Sequence, residues 1–334
     1  MNKLRVGIIG LGVGEQHLEA CMAHPNATVV AVCDLSPEKI SSIRGKYPSL
    51  KIVGTVDMIL EDAGIDAVCI ASYDNYHYEQ IMKALDNGKH VFVEKPLCLY
   101  KEEAVKIKRS LKEKPELRIS SNLILRKCPR FQLLKNKIEN GELGKIYLVE
   151  GDYNYGRLHK ITEGWRGKID FYSVVYGGAV HIIDLILWLT GETVTEVSAY
   201  GNNISSKGTI YKYNDVAVSI LKFSNGSIGK VGSNYSCVYP HFHRLSVYGT
   251  KVTFENDLSE GRLFTSRDPK VQFRSIDAPY PGVHKGELLK DFIEAILTGE
   301  KAAVGEDDVF KTMSVCFAIE ESMNTSKAVK VEYI

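Results

Sequence analysis

Two short segments of the chain carry side chains that could move a proton at a reacting carbon. HVFVEKP places Glu94 and Lys95 directly before a proline, and YGGAVHIID places His181 three residues before Asp184. Histidine titrates near neutrality, and a lysine close to another positive charge has a lowered pKa, so both residue types suit general acid–base catalysis. The ordinary alternatives are a solvated lysine at a strand end and two polar residues on a core helix.

The elements that must position these residues differ between the two ends of the chain. Continuous β-branched runs predict strands buried on both faces at 4–10, 28–34, 66–72, 90–95 and 117–122. Helical patterns alternate with them at 14–24, 36–47, 75–88 and 100–114. This alternation predicts a parallel, doubly wound Rossmann sheet, and Lys95 then lies at the carboxyl end of a strand, where such sheets bind ligands.

The chain beyond residue 122 has a different pattern. An Asn-Gly turn at 225–226 and a Gly-Thr turn at 249–250 each join two apolar-alternating runs, as in antiparallel hairpins. Helices are predicted at 127–144, 286–299 and 307–323, and a last strand at 328–334. We therefore predict two domains, residues 1–122 and residues 123–334, the second an α+β domain with a large open, mostly antiparallel sheet.

A glycine-rich turn follows the first predicted strand. Gly10 and Gly12 fit the first two glycines of a dinucleotide fingerprint, whereas Glu15 stands at the third position. The first glycine allows the tight turn, the second lets backbone approach a pyrophosphate, and the following helix N-terminus attracts its charge. A glycine-rich turn without a ligand is the alternative for this motif alone.

Asp34 ends the second predicted strand and favours NAD over NADP. A carboxylate there accepts hydrogen bonds from both ribose hydroxyls of the adenosine and repels a 2′-phosphate. Neither Leu35 nor Ser36 supplies a compensating positive charge, and Ser36 is a more natural helix cap than Asp34. The positive ring of the oxidised nicotinamide would lower the pKa of a nearby Lys95, which favours proton exchange near neutrality.

Composition argues against several other classes of protein. Lys+Arg 42 against Asp+Glu 41 gives a net charge of +1, so no nucleic-acid partner is expected. The longest apolar run, IIDLILWL, is too short to span a membrane. The 7 cysteines form no C-x-x-C motif, which argues against disulfides and structural zinc. With no leader-like segment at the start, we expect a cytoplasmic protein.

Several motifs resemble those of the Gfo/Idh/MocA oxidoreductases, in the same order and over nearly the whole chain. They are G-x-G-x-x-x-x-H at 10–17, VCIASYDNYH at 68–77, VEKP at 93–96, LGKI at 143–146 and HxxDLxxWLTG at 181–191. That family includes inositol dehydrogenases, glucose-fructose oxidoreductase and nucleotide-sugar dehydrogenases. The resemblance implies a Rossmann domain and a second domain whose sheet covers the active site with one face. The other face would form a homodimer or homotetramer interface.

The resemblance also implies roles for individual residues. The implied cofactor-binding residues are Gly10, Gly12, Val13, Asp34, Ala71, Ser72, Tyr73, His77, Glu94, Lys95, Trp165 and Arg166. Ser72 and Tyr73 stand where relatives usually have Thr-Pro. On the substrate side the resemblance implies Lys95, His181 and Asp184, and it gives Arg126 as either a substrate-binding or a domain-joining residue.

Polar aromatic side chains offer further candidates for a sugar site. A tyrosine combines a ring for stacking with a hydroxyl, and we include Tyr155 and His159 among the predicted substrate-binding residues. Tyr153, Trp165, His241 and His243 have the same character, although most of the 18 tyrosines are expected to be packing or surface residues. A His-x-His pair in a strand puts both rings on one face with no visible third ligand, so no metal site is predicted.

Gly177 marks a departure from the family pattern, because much of the family has an aspartate four residues before this histidine. Some branches instead read Gly-Gly-x-x-His-x-x-Asp, close to the segment here. We expect the helix to begin near Gly177 or Gly178, so that its dipole keeps His181 in the first turn neutral and basic. Asp184, one turn on, would orient the imidazole or bind a hydroxyl.

These observations predict an NAD-dependent oxidoreductase that transfers hydride between nicotinamide and a carbinol carbon of a sugar, cyclitol or nucleotide sugar. Lys95 and His181 are the predicted catalytic residues, and either one is the candidate base. Two alternatives remain open, since some relatives are glycosidases that oxidise their substrate transiently with tightly held NAD, and a few are dinucleotide-binding regulatory proteins. The presence of Lys95 argues against the regulatory alternative.

Overall fold

The computed structural model describes residues 3–334, which form two compact units. The first unit comprises the chain up to Ile124, His284–Phe310 and Ile334, and the second comprises Leu125–Val283 and Lys311–Tyr333. Within the described range the helices are α1 (Gly14–Met22), α2 (Pro37–Lys46), α3 (Asp57–Leu60), α4 (His77–Asp86), α5 (Lys101–Glu113), α6 (Pro129–Glu139), α7 (His159–Thr162), α8 (Val180–Thr190), α9 (Glu287–Thr298) and α10 (Glu306–Thr325).

The sheet of the first unit is parallel and doubly wound. Its five strands within residues 3–334 follow the order β2-β1-β3-β4-β5. They are β1 (Leu4–Ile9), β2 (Ala27–Cys33), β3 (Ala67–Ile70), β4 (His90–Val93) and β5 (Ile119–Ser121). Most of their side chains are buried, as expected of strands covered by helices on both faces. The prediction of a Rossmann sheet is confirmed.

The carboxyl ends of these parallel strands share one edge of the sheet. Gly10, Asp34 and Glu94 directly follow β1, β2 and β4 at that edge. Gly10 has a φ of +85°, and a Cβ added to it would overlap the backbone oxygen of Ala71, the residue after β3. Only glycine tolerates both the left-handed conformation and this close approach, so the residue type at position 10 determines the turn.

Helix α9 belongs to the first unit, whereas residues 286–299 fall within the predicted second domain, 123–334. The Phe292 ring lies 5.9 Å from that of Phe92 in β4, and Arg118 Nη1 donates to the Ala295 carbonyl at 2.8 Å. Its apolar face thus completes the core beside the parallel sheet. Helical periodicity identifies such a face, but it does not say which of two cores will bury it.

The second unit contains an open sheet of nine strands within the described residues, in the order β13-β12-β11-β10-β6-β9-β8-β7-β14. They are β6 (Ile146–Asn154), β7 (Val194–Asn202), β8 (Val216–Phe223), β9 (Ile228–Asn234), β10 (Phe242–Gly249), β11 (Thr253–Asn256), β12 (Gly261–Phe264), β13 (Arg274–Ile276) and β14 (Val329–Lys330). β6 and β9 pair in parallel, and the other neighbours pair antiparallel, which confirms the predicted sheet.

Local boundaries in the second unit differ from the predicted ones. The two predicted hairpins, β8–β9 and β10–β11, are present. The last strand is only Val329–Lys330, and the helix predicted at 127–144 is reduced to α6, which begins at Pro129 and ends before Asn140. Pro129 occupies the first helical position, where its missing N–H costs no hydrogen bond, so it marks the true start.

The helix that contains YGGAVHIID begins earlier than predicted. A π turn, Val175–Ala179, runs directly into α8, and Ser173 Oγ accepts hydrogen bonds from the backbone N–H groups of Val175 at 3.0 Å and Tyr176 at 3.3 Å. Ser173 therefore caps the whole helical segment. The expectation that His181 lies in a first turn beginning at Gly177 or Gly178 is wrong, and the dipole argument for its neutrality does not apply.

Glu320 of α10 orients the capping side chain, because Ser173 Oγ donates a hydrogen bond to Glu320 Oε1. Burial raises the pKa of Glu320 from 4.5 to about 7, although the Ser173 hydroxyl acts in the opposite direction. The folded protein therefore retains a proton on this carboxyl group over a pH range in which the unfolded chain has lost it.

Replacement of Glu320 by glutamine should remove one source of pH-dependent stability. A raised folded-state pKa stabilises the protein fully below pH 4.5, and this contribution is lost as the pH rises through about 7. We expect Glu320→Gln to match the wild type near pH 5 and to exceed its free energy of unfolding by about 2 kcal/mol near pH 8. Urea unfolding at several pH values measures this difference. Glu321→Gln, at the exposed neighbour, is the control, and a parallel pH dependence in wild type and Glu320→Gln would contradict the assignment.

Candidate active site

A cleft of about 450 Å³ opens at the carboxyl edge of the first sheet. Its lining residues are Ile9, Gly10, Gly12, Cys33, Asp34, Leu35, Ser36, Lys39, Val56, Ala71, Ser72, Tyr73, Tyr76 and Gln80. Six of the predicted cofactor-binding residues are among them, next to the N-terminus of α1. A concave site with a glycine turn, a helix N-terminus and a carboxylate after β2 has the features that hold a dinucleotide, so these residues fit NAD.

The Asp34 carboxylate is fixed at this cleft by backbone donors. Its Oδ2 accepts a hydrogen bond from the N–H of Leu11, and its Oδ1 accepts one from the N–H of Ser36 at 2.7 Å. Ser36 itself caps α2, because its Oγ accepts from the Lys39 N–H at 3.2 Å. Sequence reasoning missed Lys39 as a lining residue, and its position in the first turn of α2 was the available signal.

Replacing Asp34 by serine should shift cofactor preference away from NAD. The variant removes the charged acceptor for the ribose hydroxyls and the repulsion of a 2′-phosphate, while Lys39 still lines the cleft. A charge-assisted hydrogen bond contributes about 1.5–3 kcal/mol, so we expect the ratio of NAD to NADP affinity to fall about 10- to 100-fold. Titration of both dinucleotides followed by intrinsic fluorescence measures it. Asp86→Ser, at the surface, controls for a general effect of charge, and an unchanged ratio in Asp34→Ser would contradict the role of Asp34.

A buried network surrounds Glu94 directly before Lys95. Glu94 Oε1 is 2.8 Å from His17 Nε2 and 2.7 Å from Asn122 Nδ2. Burial alone would raise the pKa of Glu94, but the hydrogen bond and charge of His17, the charge of Lys95 and the amide of Asn122 lower it to about 2. The carboxylate therefore stays ionised and anchors the end of β4, which leaves Lys95 half-buried at the sheet edge.

His77 ties together the segments that follow β3 and β4. Its Nδ1 lies 2.7 Å from the Pro96 carbonyl oxygen and its Nε2 lies 3.2 Å from the Ser72 carbonyl oxygen. Ser72 Oγ in turn donates to Gln80 Oε1 at 2.7 Å. Val13, another predicted cofactor residue, is the N-cap residue of α1. The contacts of His77 support the backbone at Ser72, which lines the cleft, and at Pro96, directly after Lys95.

In the second unit, tyrosine and histidine rings gather around His181. The His181 ring stacks on Tyr153 at a centroid distance of 6.0 Å, and His243, the cross-strand neighbour of Tyr153, lies 6.3 Å from it. Burial, together with His241, lowers the pKa of His243 to about 3, so that ring is neutral. The predicted base thus lies on an aromatic face in which His243 is neutral.

Further rings extend this aromatic face. Tyr155 packs against Tyr235 at 4.7 Å and against His241 at 5.3 Å, so the predicted Tyr155 belongs to the set. His159, also predicted, lies exposed at the start of α7, outside the ring contacts just described. Tyr153 of β6 and His243 of β10 are cross-strand neighbours, and Tyr155 and His241 lie two residues along the chain from them, directly beyond the two strands, so the four rings fall on one face.

Arg126 and Asp184 bind each other in the second unit. Arg126 Nε and Nη2 donate to the two oxygens of Asp184 at 2.6–3.2 Å, and Thr312 Oγ1 donates to Oδ1 at 3.3 Å. The Arg126 and Asp184 side chains are 5% and 1% exposed. The pair joins α8 to the turn Ile124–Lys127. The predicted contact of either residue with substrate stays a prediction.

Trp165 and Arg166 lie in a short 3-10 turn of the second unit. The Arg166 guanidinium stands over the Trp165 ring at 4.6 Å, and its Nε donates to the Tyr172 hydroxyl at 3.1 Å. Tyr172 also lies 6.1 Å from the Trp165 ring and 6.2 Å from the Tyr235 ring, so it connects both residues to the aromatic face. Their predicted role at the cofactor stays a prediction.

Two family models match consecutive parts of this chain. One, for an oxidoreductase family with an NAD-binding Rossmann fold, matches residues 4–121, and the other, for the GFO/IDH/MocA C-terminal domain, matches residues 131–255. The chain belongs to the Gfo/Idh/MocA family. It is thus an oxidoreductase with an NAD-binding domain, which confirms the predicted family and cofactor.

The curated relatives in this family include several inositol dehydrogenases. The myo-inositol 2-dehydrogenase of Thermotoga maritima is 27% identical and covers 99% of both chains. The NAD(+)-dependent scyllo-inositol 2-dehydrogenase of Bacillus subtilis is 29% identical, over 99% of this chain and 97% of its own. Levoglucosan dehydrogenase in complex with NADH and levoglucosan matches the fold at a TM-score of 0.87 and 23% identity, with all of both chains covered. At that identity the structural match supports the fold alone.

Across residues 3–334, no group of three or more histidine, cysteine, aspartate or glutamate side chains could hold a metal ion. No helix within the described part of the chain is long and apolar enough to cross a membrane.

Proposed function

We propose that the protein is an NAD-dependent dehydrogenase that oxidises a carbinol carbon of a sugar, cyclitol or nucleotide sugar, or reduces the corresponding carbonyl. The observation that carries the proposal is the edge of the first sheet, where the dinucleotide cleft and Lys95 follow neighbouring strands. The aromatic face around His181 supports a polyol substrate, since tyrosine rings and hydroxyls suit sugar recognition. Relatives named as inositol dehydrogenases support the same substrate class.

The proposed oxidation removes one hydride and one proton from the substrate, and each needs an acceptor. NAD, when bound, supplies the nicotinamide that accepts the hydride from the carbinol carbon. The hydroxyl proton of that carbon passes to His181 or Lys95 as the C–O bond becomes a carbonyl. The assignment of both residues to one substrate rests on the family resemblance. Glu94 fixes the end of β4 and thereby the position of Lys95.

A substrate panel tests this function. Purified protein is mixed with inositols, free sugars and nucleotide sugars, with NAD or NADP, and absorbance at 340 nm is followed. Net NADH formation with a polyol supports the dehydrogenase. Release of a glycosyl leaving group without net NADH would instead show a redox-assisted glycosidase. Binding of NAD without turnover on any member of the panel would show a dinucleotide-binding regulatory protein.

We also propose that the protein forms a homodimer or homotetramer through the outer face of the second sheet. Tyr200, Val218, Ile220 and Ile228 lie on neighbouring strands of that face and are 43–72% exposed. Exposed apolar patches of this kind mark protein–protein contacts in soluble proteins. Light scattering during size-exclusion chromatography tests the proposal, and a monomer at micromolar concentration would overturn it.

A further inference from the structure

Gly177 is the point where two tyrosine hydroxyls reach the helix that carries His181. A Cβ added to Gly177 would overlap the Tyr172 hydroxyl oxygen and lie 2.6 Å from that of Tyr235. The two hydroxyl oxygens are 2.9 Å apart, within hydrogen-bond distance. They therefore occupy the space that a side chain at position 177 would take, and glycine is the residue that leaves this space open.

Arg166 favours one direction of donation in the hydrogen bond between the two tyrosine hydroxyls. Its Nε–H donates to the Tyr172 oxygen at 3.1 Å, which favours donation by the Tyr172 hydroxyl to Tyr235. Both tyrosines are 1% exposed, and burial raises the pKa of Tyr235 well above its usual value. The chain of groups thus consists of one guanidinium and two buried hydroxyls.

The two tyrosines also lie close to the segment that joins the π turn to His181. Gly177 lies in the π turn, one turn before His181, and π turns often occur at functional positions. Tyr235 packs against Tyr153 at 6.1 Å, and Tyr153 stacks on His181 at 6.0 Å. The hydroxyl pair therefore contacts the His181 helix at its backbone, and the Tyr235 ring contacts the ring on which His181 stacks.

We propose that the Arg166–Tyr172–Tyr235 hydrogen-bond chain is a positioning element that sets the orientation of the His181 imidazole for proton transfer. It acts through the π turn at Gly177 and through Tyr153. The inference rests on the proposed function, in which His181 is one of the two candidate proton acceptors. A residue that positions a proton acceptor changes kcat more than it changes affinity for NAD or sugar.

Tyr172→Phe and Tyr235→Phe test the positioning role, with Tyr333→Phe as the matched control because its hydroxyl bonds Val194 in the same unit, away from these rings. We expect each test variant to lower kcat about tenfold with little change in KM or in NAD affinity. The double variant should lose no more than the worse single variant, since the chain acts as a unit. Gly177→Ala, which displaces the hydroxyls without removing them, should give the same loss.

A second measurement does not depend on turnover. The histidine ring signals of the protein are recorded by NMR, and the His181 signal is assigned by its absence in His181→Asn. We expect it to shift in Tyr172→Phe, Tyr235→Phe and Gly177→Ala and to stay in place in Tyr333→Phe. An unmoved His181 signal in the folded test variants would overturn the inference, as would wild-type kcat in an active enzyme. If the wild type oxidises no member of the panel, the proposed function fails, and the NMR result still decides the positioning role.

Discussion

Replacement of Lys95 by methionine should lower kcat/KM for sugar oxidation by about 10²- to 10⁴-fold, the range expected for loss of a general acid or base. Methionine keeps the length and apolar stem of lysine but removes the ammonium group. Because Lys95 follows β4 at the same sheet edge as the dinucleotide cleft, the loss should appear with saturating NAD. Initial rates from NADH absorbance, with NAD affinity measured separately, give the comparison.

Two further variants make this result specific. Lys106→Met removes an exposed lysine of α5 in the same unit and should leave the rate unchanged. His181→Asn removes the other candidate base while keeping a hydrogen-bonding side chain. The residue whose loss also abolishes the ionisation seen in the pH profile of kcat is the one that carries the proton. Full activity in Lys95→Met would refute the catalytic role proposed for Lys95.

The largest expected effect on stability is that of Arg126→Met, which should cost about 3–5 kcal/mol of unfolding free energy. The variant leaves the Asp184 carboxylate buried inside the second unit without the cation that now binds both of its oxygens. An unpaired buried charge is far more costly than the absence of the whole pair. Urea unfolding, followed by circular dichroism, measures the change.

A double substitution separates the contribution of the Arg126–Asp184 pair to stability from a contribution to substrate binding. Arg126→Met combined with Asp184→Leu removes both charges and should recover most of the lost stability. If the ion pair only joins α8 to the turn Ile124–Lys127, the double variant will also recover KM for the sugar. A persistent rise in KM in a stable double variant would show that one of the two side chains binds substrate. If the double variant lost as much stability as Arg126→Met and Asp184→Leu lose together, the direct pairing would be contradicted.

The Rossmann half of the molecule was predictable because local sequence patterns determine its strands, helices and topology. Apolar strands without alternation require helices on both faces, and their order along the chain leaves few topologies. Gly10 and Asp34 follow from the same logic, since the parallel strands carry both residues to one edge. The VEKP motif then places Lys95 at the end of β4, where the structure has it.

The arrangement of polar side chains in the second unit was less predictable. The sequence shows Arg126 and Asp184, but they are 58 residues apart and nothing in their spacing indicates that they bind each other. Gly177 reads as a missing carboxylate, whereas in the structure its surroundings are occupied by Tyr172, five residues before it, and by Tyr235, which is distant in sequence. Long-range contacts of this kind depend on how strands and helices pack against each other. Residue types and periodicity within one segment do not reveal that packing.

The discontinuous first unit also has a consequence for synthesis of the protein. Its parallel strands leave the ribosome early, but Phe292 of α9, which packs against Phe92, is added only after the whole stretch Leu125–Val283. At a typical 5–20 residues per second, that delay is roughly ten to thirty seconds. During it, the nascent parallel sheet lacks the apolar cover of α9 over Phe92. Translation order and assembly order therefore differ, and the core of the dinucleotide domain is completed only near the end of synthesis.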